Sequence, residues 1–322
     1  MRLTFLGILL ALVAACSNAA SNVVQRITNR DEAGVRTLSM RLVLDLLHRP
    51  LWFAGLGFVI FSFILQASAL RFGPLAMVEP LLVCELPLTF VGAVIFMRAR
   101  LGRIEWASAI LMTVGLAALI YFLNPHGGRA RTASMLVWTI GLGASFGTVA
   151  VLVVAGKRAR ADRRAAFYGV ATGITFGATA ALMKGTVVHL SSGVPSIFTT
   201  WQCYAMVGAG ILGMFLVQNA LQAGKIVAAQ PGITLADPFV AIAWGLFAFD
   251  ERAATDAAHL GLVAGGGALM VAGAILLSRS PVLDHRGAGG SGNGGASGGR
   301  DGEQTGSPSR RGANEVAASR RG

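Results

Sequence analysis

The sequence predicts an all-α polytopic membrane protein: about nine transmembrane helices in two inverted repeats, spans 1–4 and 6–9, followed by a disordered C-terminal tail. Three observations carry this expectation. Hydrophobic residues make up 54% of the 322-residue chain and charged residues only 13%, too apolar a balance for a soluble domain of this length. Apolar runs of roughly 20 residues, the length that crosses ~30 Å of hydrocarbon, recur along the chain. Residues of the first half also return at fixed offsets in the second.

The predicted spans cover 3–22, 51–70, 75–97, 104–123, 135–155, 165–185, 197–217, 226–248 and 259–278. Trp52, Trp106, Trp138 and Trp201 fall near span starts, where indole rings anchor at the interface. In the long loop 26–50, the segment 34–50 sets Val35, Leu38, Leu42 and Leu46 against Arg36, Arg41 and Arg49. That pattern suits a short amphipathic helix lying on the membrane, not a tenth span. Span 5 and its basic loop, 124–164, link the repeats 1–123 and 165–279. From 280 to 322 the chain collapses to Gly, Ser, Arg and Ala, as in GAGGSGNGGASGGRDGEQTGSPSRRG, which cannot bury a core. Its glycines belong to a tail and form no phosphate loop.

A formal charge of +12 would point to nucleic acid in a soluble protein. Here the basic residues are explained by loops and a tail facing anionic lipid, so the bilayer is the expected partner and nucleic acid is not. With the N-terminus outside, 21 of the 27 Lys and Arg fall on the inner side, clustered at Arg26–Arg49, Arg98–Arg103, Lys157–Arg164, Lys225 and from Arg279 onward. The positive-inside rule therefore predicts N-out, C-in. Cys16, Cys84 and Cys203 lie in separate apolar runs without CxxC or Cys/His spacing, so neither a disulfide framework nor a zinc site is expected.

The internal repeat is the most informative feature. At an offset of 151, Ala69-Leu70 and Gly73 fall on Ala220-Leu221 and Gly224, Pro80 on Pro231, Pro87 on Pro238 and Gly115 on Gly266. At an offset of 162, Gly7, Ala11, Ala15 and Ala19 fall on Gly169, Gly173, Gly177 and Ala181. Matching spans are five apart, so the copies have opposite topology. Inverted repeats recur in transporters, with the substrate site near the midplane between the copies.

The repeat also bears on the stretch LVAACSNAASNVVQR, Leu12 to Arg26. Val13-Ala14-Ala15-Cys16 passes as a permissive lipobox, which would make the first fifteen residues a removable signal peptide. Cleavage there would strip one repeat of its first span, whose small-residue stripe matches span 6. The favoured reading is a helix continuing to Asn22, with Asn18, Asn22 and Gln25 on one face turned toward a cavity or a neighbouring helix.

An ionisable group in the bilayer costs ~2.5 to 3.5 kcal/mol on insertion scales and by default faces the bundle interior. Glu85 lies ~15 Å into span 3 and Asp237 ~16 Å into span 8, one acid from each repeat near the midplane and each just before the second proline of a P-x6-P pair. They are the leading binding candidates. Glu79, shallower in span 3, points elsewhere round the helix and suits snorkelling. Lys184, at the outer end of span 6, reads either as an interfacial lysine or as a counter-ion to these acids. Gln230, Gln66, Gln218 and Asn219 are candidate cavity donors or helix–helix contacts, and Tyr168, Phe176, Tyr204 and Trp244 candidate aromatic lining. The glycine stripe Gly169, Gly173, Gly177, Gly185 and the GxxxG of Gly143 and Gly147 read as close-packing faces, which could also join copies of the chain in a homo-oligomer.

The run RPLWFAGLGFVIFSFILQASALRFGPLAMVEPLLVCELPLTFVGAVIFMRARLGRIEWASAILMTVGLAALIYFL resembles the drug/metabolite transporter (EamA-like) superfamily, especially its bacterial branch of NIPA-type magnesium transporter relatives. The most specific pieces are ALRFGPLAMVEP and its weaker echo ALQAGKIVAAQP, within a resemblance covering about 3–278. It implies a polytopic transporter of a bacterial plasma membrane and leaves the cargo open.

Two functional readings follow. One is a transporter moving a small solute or cation by alternating access, with Glu85 and Asp237 as the metal ligands if a cation is the cargo. The other is a non-transporting membrane protein that binds lipid or a partner, its buried acids being structural. The inverted repeat favours the first. No cofactor and no enzymatic activity are expected: no Ser/His/Asp, metal-ligand or phosphate-loop spacing is found, and the five histidines lie outside the apolar span centres. Two carboxylates make a thin shell for magnesium unless the ion stays hydrated.

Overall fold

The computed structural model describes residues 2–30, 50–97, 102–127, 133–223, 226–253 and 256–278. The predicted tail and all but the last residue of the predicted amphipathic segment lie outside the described residues. Ten α-helices are described: α1 (Arg2–Arg30), α2 (Pro50–Phe72), α3 (Leu75–Leu82), α4 (Glu85–Met97), α5 (Arg103–Leu123), α6 (Met135–Arg158), α7 (Ala161–Val187), α8 (Trp201–Ala223), α9 (Ile226–Ala248) and α10 (Ala257–Ser278). With α3 and α4 counted as one span, nine segments among the described residues are long and apolar enough to cross a membrane. The protein is an all-α, multi-pass membrane protein.

Lipid offers no hydrogen bonds, so polar side chains within spans turn to neighbouring helices. Serines tie α1 to α2 in this way. The Ser17 hydroxyl donates to the Phe58 carbonyl at 2.8 Å, Ser21 to Gly55 at 2.9 Å and Ser62 back to Ala14 at 2.9 Å. Ala14 and Ala15, both fully buried, allow this approach. α1 runs unbroken through Cys16, which is exposed.

The predicted glycine stripe of span 6 is a close-packing face. A Cβ on Gly169 would lie 2.3 Å from the Ala229 carbonyl oxygen, and one on Gly173 2.8 Å from that of Ile233, so α7 meets α9 backbone to backbone. Gly185 packs instead on the Trp138 ring. The GxxxG of α6 departs from expectation: a Cβ on Gly143 or Gly147 would meet nothing within 4 Å, because that face of α6 points away from the chain. α5 and α10 pair through Gly115 and Gly266, whose added Cβ atoms would lie 2.7 Å and 2.9 Å from each other's carbonyl oxygens.

α1 packs on α2 and on α3 and α4, just as α7 packs on α8 and α9. α9 also contacts α3, and α10 packs on α5. At one end of the bundle the short strands β1 (His126–Gly127) and β2 (Glu251–Arg252) pair antiparallel, Gly127 opposite Glu251. Asn124 and Asp250 adopt left-handed backbone at φ 42° and 53°, a conformation Asn and Asp tolerate, and so turn the chain out of α5 and α9 into this ladder.

Candidate substrate cavity

The third span, expected as one helix over 75–97, is broken in its middle: α3 ends at Leu82, Val83 and Cys84 form a turn, and Glu85 opens α4. Proline chemistry accounts for the break. Pro87 has no N–H to give to the Val83 carbonyl, and its ring crowds that oxygen. The carbonyl accepts from Leu86 at 3.1 Å instead, while Val83 and Cys84 donate at 3.1 Å to Pro80 and Leu81, tightening the turn to three-residue bonds. The break places Glu85 in the first turn of α4, where the N-terminal end of the helix dipole favours a carboxylate. α9 carries the matching Pro231 and Pro238 inside one continuous helix, so the two halves differ here.

Beside this break lies a cavity of about 340 Å³ between α1, α2, α3 and α4 on one side and α7 and α9 on the other. Its wall carries three carboxyls, Glu79, Glu85 and Asp237, and the side-chain amides of Asn18, Gln66 and Gln230. Thr179 and Thr234 add hydroxyls, Phe63, Phe176 and Met183 add apolar surface, and among the described residues no Lys, Arg or His lines it. Asp237 is the central residue of α9, and Glu85 lies close to the middle of its span.

The three acids are held differently. Glu79, only 4% exposed, accepts from the Gln66 amide at 2.8 Å, so it turns inward and does not snorkel. Asn18 sits against the Glu85 carboxyl. Asp237 lies within electrostatic reach of both glutamates, yet among the described residues no donor reaches its buried Oδ1. The Gln230 amide reaches Thr234 at 3.4 Å. A buried carboxylate oxygen without a donor is costly and marks a place for a proton or a positively charged guest. No group of three or more His, Cys, Asp or Glu side chains among the described residues converges closely enough to hold a metal ion.

Other candidates lie apart from this cavity. Asn22 is half-buried on α1 and does not line it. Asn219 donates to the Phe215 carbonyl of its own helix at 2.7 Å, and Gln218 is exposed. Of the candidates Tyr168, Phe176, Tyr204 and Trp244, only Phe176 reaches the wall. Tyr168 packs on Gly156, Tyr204 is 66% exposed, and Trp244 lies between α6 and α9, its indole donating to Ser145 at 3.3 Å.

Lys184 is absent from the cavity wall and is no counter-ion to Glu85 or Asp237. Its ammonium, buried over the Phe249 ring, pairs with the Glu251 carboxylate and donates to the Gly73 carbonyl at 3.3 Å. Glu251 also accepts the N–H of Leu75 at 2.6 Å and of Ala76 at 2.9 Å, capping the N-terminus of α3. Sequence reasoning passed over Glu251 because it follows a span instead of interrupting one. The available signal was topological: alternating spans bring the end of span 6, the loop before span 3 and the end of span 8 to one membrane face.

The chain is 29% identical over 259 residues, 78% of its length and 87% of the relative's, to an uncharacterized protein of Corynebacterium glutamicum. No family model matches it. No solved structure matches it either.

Proposed function

We propose that the protein is a transporter of small cationic solutes, working by alternating access of the acidic cavity to the two sides of the membrane. The carrying observation is the cavity itself: three carboxyls and three amides, with no basic residue among the described residues of its wall, between the first and second halves of the bundle. Its volume of about 340 Å³ is at the lower end of the range of small-molecule pockets, room for a small organic cation or a hydrated ion. Phe63 and Phe176 line the same wall, and the face of an aromatic ring attracts cations. Because no three His, Cys, Asp or Glu side chains among the described residues converge as a ligand shell, the geometry favours an organic ammonium over a dehydrated metal ion.

Two inverted repeats underlie this reading. Gly115 and Gly266, matched at the offset of 151, oppose each other between α5 and α10, as equivalent positions do beside an axis relating two copies. The first span of each half packs on its second and third. The resemblance to the drug/metabolite transporter superfamily agrees with such an architecture, in which half-helix ends and midplane acids bind cargo.

The test is uptake and export in proteoliposomes holding the full chain, with labelled organic amines, neutral amino acids and magnesium side by side. Transport of amines that is lost in Asp237→Asn is the expected result. Transport of neutral solutes at the same rate in wild type and variant would overturn the cationic reading, and transport of no solute would overturn the transporter.

A further inference from the structure

The ion pair between Lys184 and Glu251 is buried, and it is spent neither on the cavity nor on one helix pair. It ties three separate pieces of chain: the end of α7 through Lys184, the turn after α9 through Glu251, and the start of α3 through the N–H groups of Leu75 and Ala76. The last belongs to the first half of the chain and the other two to the second.

The surroundings form a seal. Every residue from Gly73 to Pro80 is buried, as is every residue from Ala180 to Val187. Leu75, Val78, Leu182, Val187 and Phe249 belong to one apolar cluster there. On the same two segments, Glu79 and Met183 already line the cavity, three residues from Ala76 and one from Lys184. The seal therefore sits directly between the acidic cavity and the face that carries Gly73.

A buried ion pair is a poor choice for permanent cohesion, since an apolar pair of similar volume often holds as well. It suits a contact that must part, because water entering the gap rehydrates both charges and repays their desolvation. α3 is built to move with it. This helix is only eight residues long, its N-terminus is held by Glu251, and its C-terminus ends at the Val83–Cys84 break.

We propose that Lys184, Glu251 and the first amides of α3 form the gate that closes the cavity toward this face and parts to admit or release cargo, with α3 swinging about Val83–Cys84. The gate rests on the alternating-access reading above. In the structure it is shut.

Thiol accessibility tests it without a known cargo. In the full-length chain with Cys16, Cys84 and Cys203 replaced by Ala, a single Thr179→Cys in the cavity wall is exposed to a membrane-impermeant cationic thiosulfonate added from the Gly73 face of oriented vesicles. Two variants loosen the gate by different means. Glu251→Gln removes the charge, and Gly245→Ala keeps both charges but puts a Cβ 2.3 Å from the Glu251 Oε2, pushing the carboxylate aside. Each is expected to raise the labelling rate from that face at least tenfold. The Gly245→Ala protein keeps the pair's chemistry, so it serves if Glu251→Gln fails to fold. An unchanged rate in the folded variants overturns the gate. Raised labelling without transport of any solute rejects the transporter and keeps the closure; transport by the wild type with unchanged labelling rejects the gate alone.

Discussion

The side-chain amide of Gln66 donates to the Glu79 carboxyl at 2.8 Å, whereas across the same cavity no donor among the described residues reaches Oδ1 of Asp237. The two acids should therefore respond differently to neutral replacement. Asp237→Asn is expected to abolish transport with melting temperature unchanged or slightly raised, because a buried negative charge is removed. Glu79→Leu removes the acceptor of the Gln66 amide and should lower stability by about 1 kcal/mol or more. Transport and melting curves for both, and for Glu85→Gln with Asp237→Asn, check this; full transport in that double variant would end the role given to these acids.

The break at Val83–Cys84 depends on Pro87. Replacing it by Ala supplies an N–H for the Val83 carbonyl and permits a continuous third span. Stability should hold or rise while transport falls at least tenfold, since Glu85 would leave its helix-start position. Normal turnover with a straightened helix, seen by amide exchange around residues 83–87, would show the break to be incidental.

Removing one member of the Lys184–Glu251 pair strands the other. Lys184→Met is expected to cost about 3 to 5 kcal/mol, and adding Glu251→Gln to recover part of it, because the buried charge then disappears. Unfolding of the wild type, Lys184→Met, Glu251→Gln and the double variant in one detergent gives the coupling. A double loss equal to the sum of the two single losses would mean the pair is not coupled.

The two glycine patterns make opposite predictions. Gly173→Val would drive side-chain atoms into α9, where a Cβ already lies 2.8 Å from the Ile233 carbonyl, and should cost about 1 to 3 kcal/mol or more. Gly143→Val enters open space and should change stability by no more than about 0.5 kcal/mol. Equal losses at both positions would show that α6 packs on something beyond this chain.

Orientation is read by reporter fusions. A periplasm-active reporter placed after Gly73, Gly127 or Ser192 should give signal, and one after Arg100, Arg160 or Ser280 should not, as the distribution of Lys and Arg requires. The reverse pattern would invert the assignment. Gly73, Lys184 and Glu251 would still share one face, since their contacts tie them together.

Span number and approximate span positions were legible in the residue order because the hydrocarbon core demands ~20 apolar residues whatever those residues touch, while the limits shifted, the seventh span running over Trp201–Ala223 where 197–217 was expected. Midplane acids were legible for a related reason: a charge there is so expensive that Glu85 and Asp237 stand out by position alone. What each polar group meets was not, because contacts between helices depend on rotation and distance, which a local pattern does not encode. Gly173 and Gly143 sit in equally good small-residue stripes, yet only one faces a partner helix. Prolines two halves apart break α3 from α4 and leave α9 whole, which neighbouring helices decide by the bonds they offer the freed carbonyls. Lys184 could be drawn toward any acid in the chain; tertiary packing gave it Glu251, 67 residues away, whose carboxylate also satisfies the open amides at the start of α3.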